Sequence, residues 1–208
     1  MGSWFSNFHI RKKDTITTQR VCDSIKDALA QKTYIPAACA QDADIAVAIV
    51  DNPNSRWITV CSAIFAHDDA DSCKSVGQPL SSDLNTDVMG IACFDGDYLY
   101  LNLVNTDDAT DAWVGIGEGK EIGIARRNNL TAWKKKVTDY AAFSAAAKGI
   151  YVCADEFLAA VEDCLGLDAQ QASLSAEYLL ETSCRQDVLY LYFRQEEGAH
   201  HRGPELRI

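Results

Sequence analysis

Two periods of apolar residues occur along this chain, and together they predict an α+β fold. Runs rich in β-branched and aromatic residues predict strands within 4–13, 44–50, 56–65, 88–94, 98–104 and 187–195. Apolar residues spaced by three and four positions predict helices within 17–34, 128–148, 153–168 and 170–184, and a short helix that begins near Pro79. Thr17 or Thr18 is the predicted N-cap of the first helix.

The order of the first six elements is strand, helix, strand, strand, helix, strand. This is the order of the ferredoxin-like βαββαβ unit, in which helices cover one face of an antiparallel sheet. We therefore predict a ferredoxin-like sheet region over 1–127, followed by a helical segment over 128–195 that returns one C-terminal strand to the sheet. The two parts are predicted to form one integrated domain. Residues 196–208 carry no core pattern and are predicted to be a disordered tail.

Asp95 and Asp97 flank Gly96 between two strand-like runs, and this arrangement has two interpretations. The carboxylates could bind a metal ion, or the Asp-Gly pair could form the tight turn of a hairpin. A metal site needs several further ligands, and the sequence indicates none nearby. Asp-Gly supplies the positive φ angles that a short hairpin loop requires. The pattern therefore predicts a turn.

Charge narrows the range of partners. The chain has 30 acidic and 19 basic residues, a formal net charge of −11. Such a surface repels phosphate backbones, so we expect no nucleic-acid partner; the basic cluster at 134–136 is too small to reverse this. The acidic surplus suits a basic protein partner, and it also keeps a protein in solution.

The cysteines and the apolar runs predict a compartment. The eight cysteines form no Cys-x-x-Cys pair and lie mostly inside apolar segments, so they are expected to be small buried hydrophobes of a reduced, cytoplasmic protein. No apolar run reaches the length of a signal-peptide core or the ~20 residues of a membrane span. We therefore expect no membrane association.

Catalytic motifs are sparse. The glycines at 115, 117, 119 and 123 lack the spacing of a dinucleotide or Walker loop and predict an edge hairpin with a mobile tip, and no cofactor is expected. No Gly-x-Ser-x-Gly or His-Glu-x-x-His motif occurs. His9 lies among strand aromatics, where a structural role is expected. The remaining candidate is a metal site formed by His67, Asp68, Asp69 and Asp71, although their spacing matches no regular metal motif.

Three hypotheses of function follow. The first is a non-enzymatic binding or regulatory protein, an acidic inhibitor or immunity-type partner of a basic protein, with Asp107, Asp108 and Asp111 as candidate binding residues. A weaker hypothesis is a small-ligand pocket between sheet and helices around the candidate binding residues Trp113 and Tyr98; Trp113 is predicted to be the most exposed tryptophan because acidic and glycine-rich loops flank it. The alternative is a metal-dependent hydrolase that uses the 67–71 loop. The absence of catalytic motifs favours the first.

Overall fold

Eight strands form one antiparallel sheet in the computed structural model, which describes residues 4–66, 70–104, 112–117, 128–181 and 188–196. The strands are β1 (Phe5–Arg11), β2 (Tyr34–Pro36), β3 (Ile45–Val50), β4 (Trp57–Cys61), β5 (Val88–Phe94), β6 (Tyr98–Val104), β7 (Ala112–Ile116) and β8 (Val188–Gln195). Their order across the sheet is β2-β8-β3-β4-β1-β5-β6-β7. The alternating sequence therefore yields a mixed α+β protein built on a large antiparallel sheet.

Six α-helices within the described residues pack on the two faces of this sheet. They are α1 (Thr18–Ala30), α2 (Ala70–Leu84), α3 (Tyr140–Ala146), α4 (Ala154–Leu165), α5 (Ala169–Ala172) and α6 (Ala176–Glu181). The first two pack on one face, where Phe8, Ile10 and Val60 meet apolar residues of both helices. The helices after residue 139 pack on the other face, against residues such as Ile91 and Leu101. Both faces are buried along β4, β5 and β6, as these strongly apolar strands require, whereas β2 and β8 are only partly buried.

The predicted ferredoxin-like topology is not confirmed. A βαββαβ unit has four strands, whereas this sheet has eight in the described part of the chain. Of the additional strands, β2 lies in a stretch that the sequence predicts as the end of the first helix. Strand β8 coincides with the strand predicted within 187–195 and lies between β2 and β3. The registers Tyr34↔Gln195 and Ile45↔Phe193 fix that insertion. The returning C-terminal strand is thus an interior strand.

Helix boundaries differ from the predictions in three regions. Helix α2 begins at Ala70, not near Pro79, which lies inside it on the exposed side. The predicted helix over 128–148 is interrupted: a 3₁₀ turn spans Leu130–Trp133, and α3 begins only after Asp139, whose carboxylate accepts a hydrogen bond from the Ala142 N–H at 3.0 Å. The last predicted helix divides into α5 and α6. Local polar caps therefore outweigh a continuous apolar period in this part of the chain.

The start of the first helix and the acidic turn agree with the predictions. Thr17 caps α1, accepting a hydrogen bond from the Arg20 N–H at 3.1 Å. In the turn between β5 and β6, Asp95 and Gly96 have φ angles of 53° and 74°, and the Asp97 N–H donates to the Phe94 carbonyl at 3.2 Å. Two successive positive φ angles are the geometry for which Asp-Gly is favoured in hairpins. This turn places two carboxylates at one end of the sheet.

Candidate functional site

The residues of the predicted metal site are only partly described. His67, Asp68 and Asp69 lie outside the described residues, and Asp71 lies in the first turn of α2. No group of three or more metal-ligating side chains occurs among the described residues. The metal site at 67–71 therefore remains a prediction.

The predicted binding residues divide in the same way. Asp107, Asp108 and Asp111 lie outside the described residues, whereas Trp113 and Tyr98 are buried, with exposed fractions of 2% and 8%. The prediction that Trp113 is the most exposed tryptophan is wrong, because its ring stacks on Tyr100 with 4.4 Å between ring centroids. Burial also raises the pKa of Tyr98 to about 12, so its hydroxyl stays protonated at neutral pH. In the described part of the chain, these two residues act as core aromatics.

A buried hydrogen-bonded chain joins the sheet to the helical layer. The Asn7 amide donates to the carbonyls of Ala172 and Leu174 at 2.7 and 2.9 Å, so its oxygen is left to accept from His9 Nε2 at 2.7 Å. His9 Nδ1 then accepts from the Thr59 hydroxyl at 3.0 Å. Burial lowers the pKa of His9 to about 3, so the ring is neutral.

A hydroxyl, an imidazole and an amide in series have the chemical composition of a nucleophile with its base and orienting group. Here His9 and Thr59 have no solvent exposure, and Asn7 is 1% exposed, so no substrate reaches the hydroxyl. The expected structural role of His9 fits this geometry. This series of hydrogen bonds fixes α5 and the segment that follows it to β1.

The described residues expose a different feature at the end of the sheet that carries the β5–β6 turn. Between α3 and α4 the sequence Ile150-Tyr151-Val152 alternates outward, inward and outward: Ile150 and Val152 are 100% and 85% exposed. Tyr151 turns inward, where its hydroxyl donates to the Ala146 carbonyl at 2.8 Å and its ring contacts Phe157 edge to face. The inward anchor fixes the direction of both neighbours.

Two hydrogen bonds fix this segment, one between the loop and α4 and one between the start of α4 and the β5–β6 turn. The Val152 N–H donates to the Glu156 carboxylate at 2.9 Å, and the Ala154 N–H donates to the Gly96 carbonyl at 2.8 Å. The first turn of α4 therefore lies beside the Asp95-Gly96-Asp97 bend. The Glu156 carboxylate contacts the loop at Val152, and Asp95, Asp97 and Asp155 are exposed on the bend and on the first turn of α4. We call this group the turn surface; it comprises Asp95, Asp97, Ile150, Val152, Asp155 and Glu156.

The charge at the turn surface is negative. Segments 94–98 and 148–157 carry four carboxylates and one cation, Lys148. Cys93 is buried beneath the turn surface. Its burial raises the pKa of its thiol to about 11, and the negative charges of Asp155 and Asp97 make smaller contributions in the same direction. The thiol is therefore protonated at neutral pH and is a poor nucleophile.

One aromatic side chain lies next to the turn surface on the other face of the sheet. Trp4 is 61% exposed, and its ring contacts Phe94 edge to face at 5.5 Å. Since Phe94 directly precedes the turn, Trp4 belongs to the same end of the sheet. The sequence pattern does not indicate this exposure, because Trp4 falls within the predicted first strand, whereas β1 begins only at Phe5.

The sequence prediction missed the apolar pair. "GIYVC" lies between two helical patterns, and the alternation of apolar residues around Tyr151 was available as a signal. A short apolar run between helices ordinarily indicates burial, however, so exposure could not be inferred from it.

The remaining observations concern cysteines, membranes and relatives. The seven described cysteines form no disulfide, and five of them are buried, as predicted. None of the helices in the described ranges is long and apolar enough to cross a membrane. No protein-family model, no curated protein and no solved structure matches this chain.

Proposed function

We propose that this chain is a non-enzymatic binding protein that holds a basic protein, in the manner of an acidic inhibitor or immunity protein. The observation that carries the proposal is the turn surface: two exposed aliphatic side chains lie on a loop that is hydrogen-bonded to α4 and leads to the β5–β6 bend, and these segments carry four exposed carboxylates. Apolar groups adjoined by charge are typical of protein-binding surfaces. The formal net charge of −11 adds long-range attraction for a basic partner.

The buried polar groups support binding over catalysis. In the described residues, the one series of hydroxyl, imidazole and amide that could form a nucleophilic centre is closed to solvent. The described cysteines whose thiol pKa shifts have a raised pKa, chiefly through burial, which opposes thiolate chemistry. We place the protein and its partner in the cytoplasm, since the described cysteines form no disulfide.

The scaffold is, we infer, a ferredoxin-like unit that has been extended at both sides. Strands β3, β4, β1 and β5 are neighbours in the sheet, and α1 and α2 follow β1 and β4 on one face. That arrangement supports the inference. The extension by β6 and β7 creates the hairpin turn on which the turn surface depends.

The test of function is capture followed by reconstitution. The full chain, immobilised by a C-terminal tag, is incubated with host lysate at about 50 mM NaCl. An unrelated protein of equal size and net charge serves as the control. Each basic protein retained by the chain but not by the control is identified, purified and mixed with the purified chain. The complex is then titrated by calorimetry at about 50 and about 300 mM NaCl.

We expect a 1:1 complex with a basic protein, and an affinity that falls at the higher salt concentration, because salt screens the attraction between opposite charges. If every retained protein fails to form a complex after purification, or if the complex is insensitive to salt, the proposal is wrong.

A further inference from the structure

We infer that the turn surface is the docking surface for the basic partner, and that Ile150 and Val152 are its apolar anchor. This inference rests on the proposed function. The partner must offer an apolar pocket that accepts two aliphatic side chains, with Lys or Arg side chains around it. The anchor provides the contact, and the carboxylates of the turn surface provide attraction and orientation.

The anchor is preorganised. Side chains that are fixed before binding lose less conformational entropy when the complex forms. Three hydrogen bonds hold the loop: from the Tyr151 hydroxyl to Ala146, from the Val152 N–H to Glu156, and from the Ala154 N–H to Gly96, all between 2.8 and 2.9 Å. The contact of Tyr151 with Phe157 adds a fixed ring beneath the loop. Ile150 and Val152 therefore project from a supported backbone.

The other exposed aliphatic side chains of the described residues lack this arrangement. Leu180 and Leu189 are each 44% exposed, so more than half of the surface of each residue is already covered. The 150–152 loop instead exposes two aliphatic residues, by 100% and 85%, two positions apart in the sequence.

The negative charge of the turn surface favours a basic partner over the other possible occupants. A second copy of this chain that docked through the same surface would bring four carboxylates against four like charges, with one lysine on each side. An anionic membrane would meet the same repulsion. A partner with positive charge around an apolar pocket satisfies both components of the surface.

The first experiment maps the surface with a defined probe. A synthetic peptide that alternates leucine and lysine is titrated into the isotope-labelled full chain, and backbone amide shifts are followed by NMR. We expect the largest shifts in 94–97 and 148–157. A peptide with glutamate in place of lysine should produce none. Shifts that concentrate elsewhere, or equal shifts with both peptides, would overturn the inference.

The second experiment uses the reconstituted complex and paired variants. Ile150→Ala with Val152→Ala should weaken binding about tenfold or more through faster dissociation, as expected for a central apolar anchor. Leu180→Ala, at an exposed apolar residue elsewhere, is the matched control and should leave the affinity unchanged. Asp97→Asn with Asp155→Asn should slow association and reduce its salt dependence.

The outcomes separate the two proposals. A salt-dependent complex that binds the Ile150→Ala, Val152→Ala variant like the wild type leaves the proposed function standing and refutes the docking surface. A lysine-dependent shift map at the turn surface, without any basic partner that reconstitutes, supports the surface and refutes the function. The substituted side chains are exposed, so unchanged urea midpoints should confirm that the variants are folded.

Discussion

At the scale of single residues, the chain buries polar groups in two ways. His9 is satisfied on both ring nitrogens, by Asn7 and Thr59. Gln171, in the adjoining helical layer, is 1% exposed, and neither atom of its amide has a hydrogen-bond partner. A satisfied buried group contributes specificity, whereas an unsatisfied one costs its desolvation energy. These two residues should therefore respond differently to pH and to substitution.

His9 should make the free energy of unfolding depend on pH between 6.5 and 3. Its pKa is lowered from 6.5 to about 3 by burial, so the native ring is neutral in this range. The unfolded chain binds a proton there that the native chain does not, and stability falls as pH falls. The slope reaches about 1.4 kcal/mol per pH unit, and the contribution is fully retained above pH 6.5.

Urea unfolding at pH 7.0, 6.0 and 5.0 measures this slope, in a range where most carboxylates do not yet titrate. His9→Gln keeps an amide donor and acceptor at this position but does not titrate, so its stability should change less over the same interval. Equal slopes for both proteins would show that His9 does not control this pH dependence.

Gln171→Met should stabilise the protein by about 1 kcal/mol. The substitution nearly preserves the shape of the side chain and removes two buried polar atoms without partners. The neighbouring Gln170 is exposed, and Gln170→Met is the matched control, with an expected change below about 0.5 kcal/mol. Urea midpoints of the two variants test the difference. A loss of stability in Gln171→Met alone would contradict the interpretation of this amide as unsatisfied.

At the scale of elements, helix α2 shows that local sequence signals can misplace the start of a helix. Cys73, Leu80 and Leu84 are buried on its inner side, while Pro79 lies on the outer side. A proline removes one helical hydrogen bond, and on the exposed side the orphaned carbonyl is open to water. The sequence predicts a helix start at Pro79, because proline is common at the first position of a helix. Cys73 lies in the helical turns before Pro79, and its burial stabilises those turns. This burial outweighs the local preference for a helix start at the proline.

Pro79→Ala should therefore increase stability by about 1–2 kcal/mol. Alanine restores the missing helical hydrogen bond and its helix propensity exceeds that of proline by about 3 kcal/mol, of which part is offset by the greater freedom of the unfolded chain. Gln78→Ala, at the adjacent exposed position, is the control and should change stability by less than about 0.5 kcal/mol. Thermal midpoints provide the measurement. A lower midpoint for Pro79→Ala would indicate that the ring stabilises this part of α2.

Elements with a strong local signal could be predicted from the sequence, and elements that depend on distant contacts could not. The strands β3, β4, β5 and β6 and the Asp-Gly turn follow from residue composition and alternation. The short strand β2 exists only because Tyr34 pairs with Gln195, more than 150 positions away. The turn surface depends on both kinds of information: Asp95 and Asp97 were visible in the sequence, but the exposure of Ile150 required the packing of Tyr151.

At the scale of the whole molecule, one property controls both stability and binding. A formal net charge of −11 creates repulsion within the folded chain and attraction for a basic partner. Salt screens both interactions over about 10 Å at 0.1 M ionic strength. Its effect on the folded chain and its effect on the proposed complex should therefore have opposite signs.

Raising NaCl from about 10 to about 200 mM should raise the thermal midpoint of the isolated chain, because screening weakens the repulsion among surplus carboxylates. Lys134→Glu with Lys135→Glu tests this cause: each substitution changes the charge by two, so the net charge goes from −11 to −15. Both lysines are exposed, and the variant should be less stable at low salt and gain more from added salt. A thermal midpoint that falls with salt in both proteins would mean that ion pairs such as Lys12–Asp51, at 2.6 Å, outweigh the net repulsion. In that case, the stabilisation by local ion pairs would exceed the destabilisation by repulsion among the surplus carboxylates.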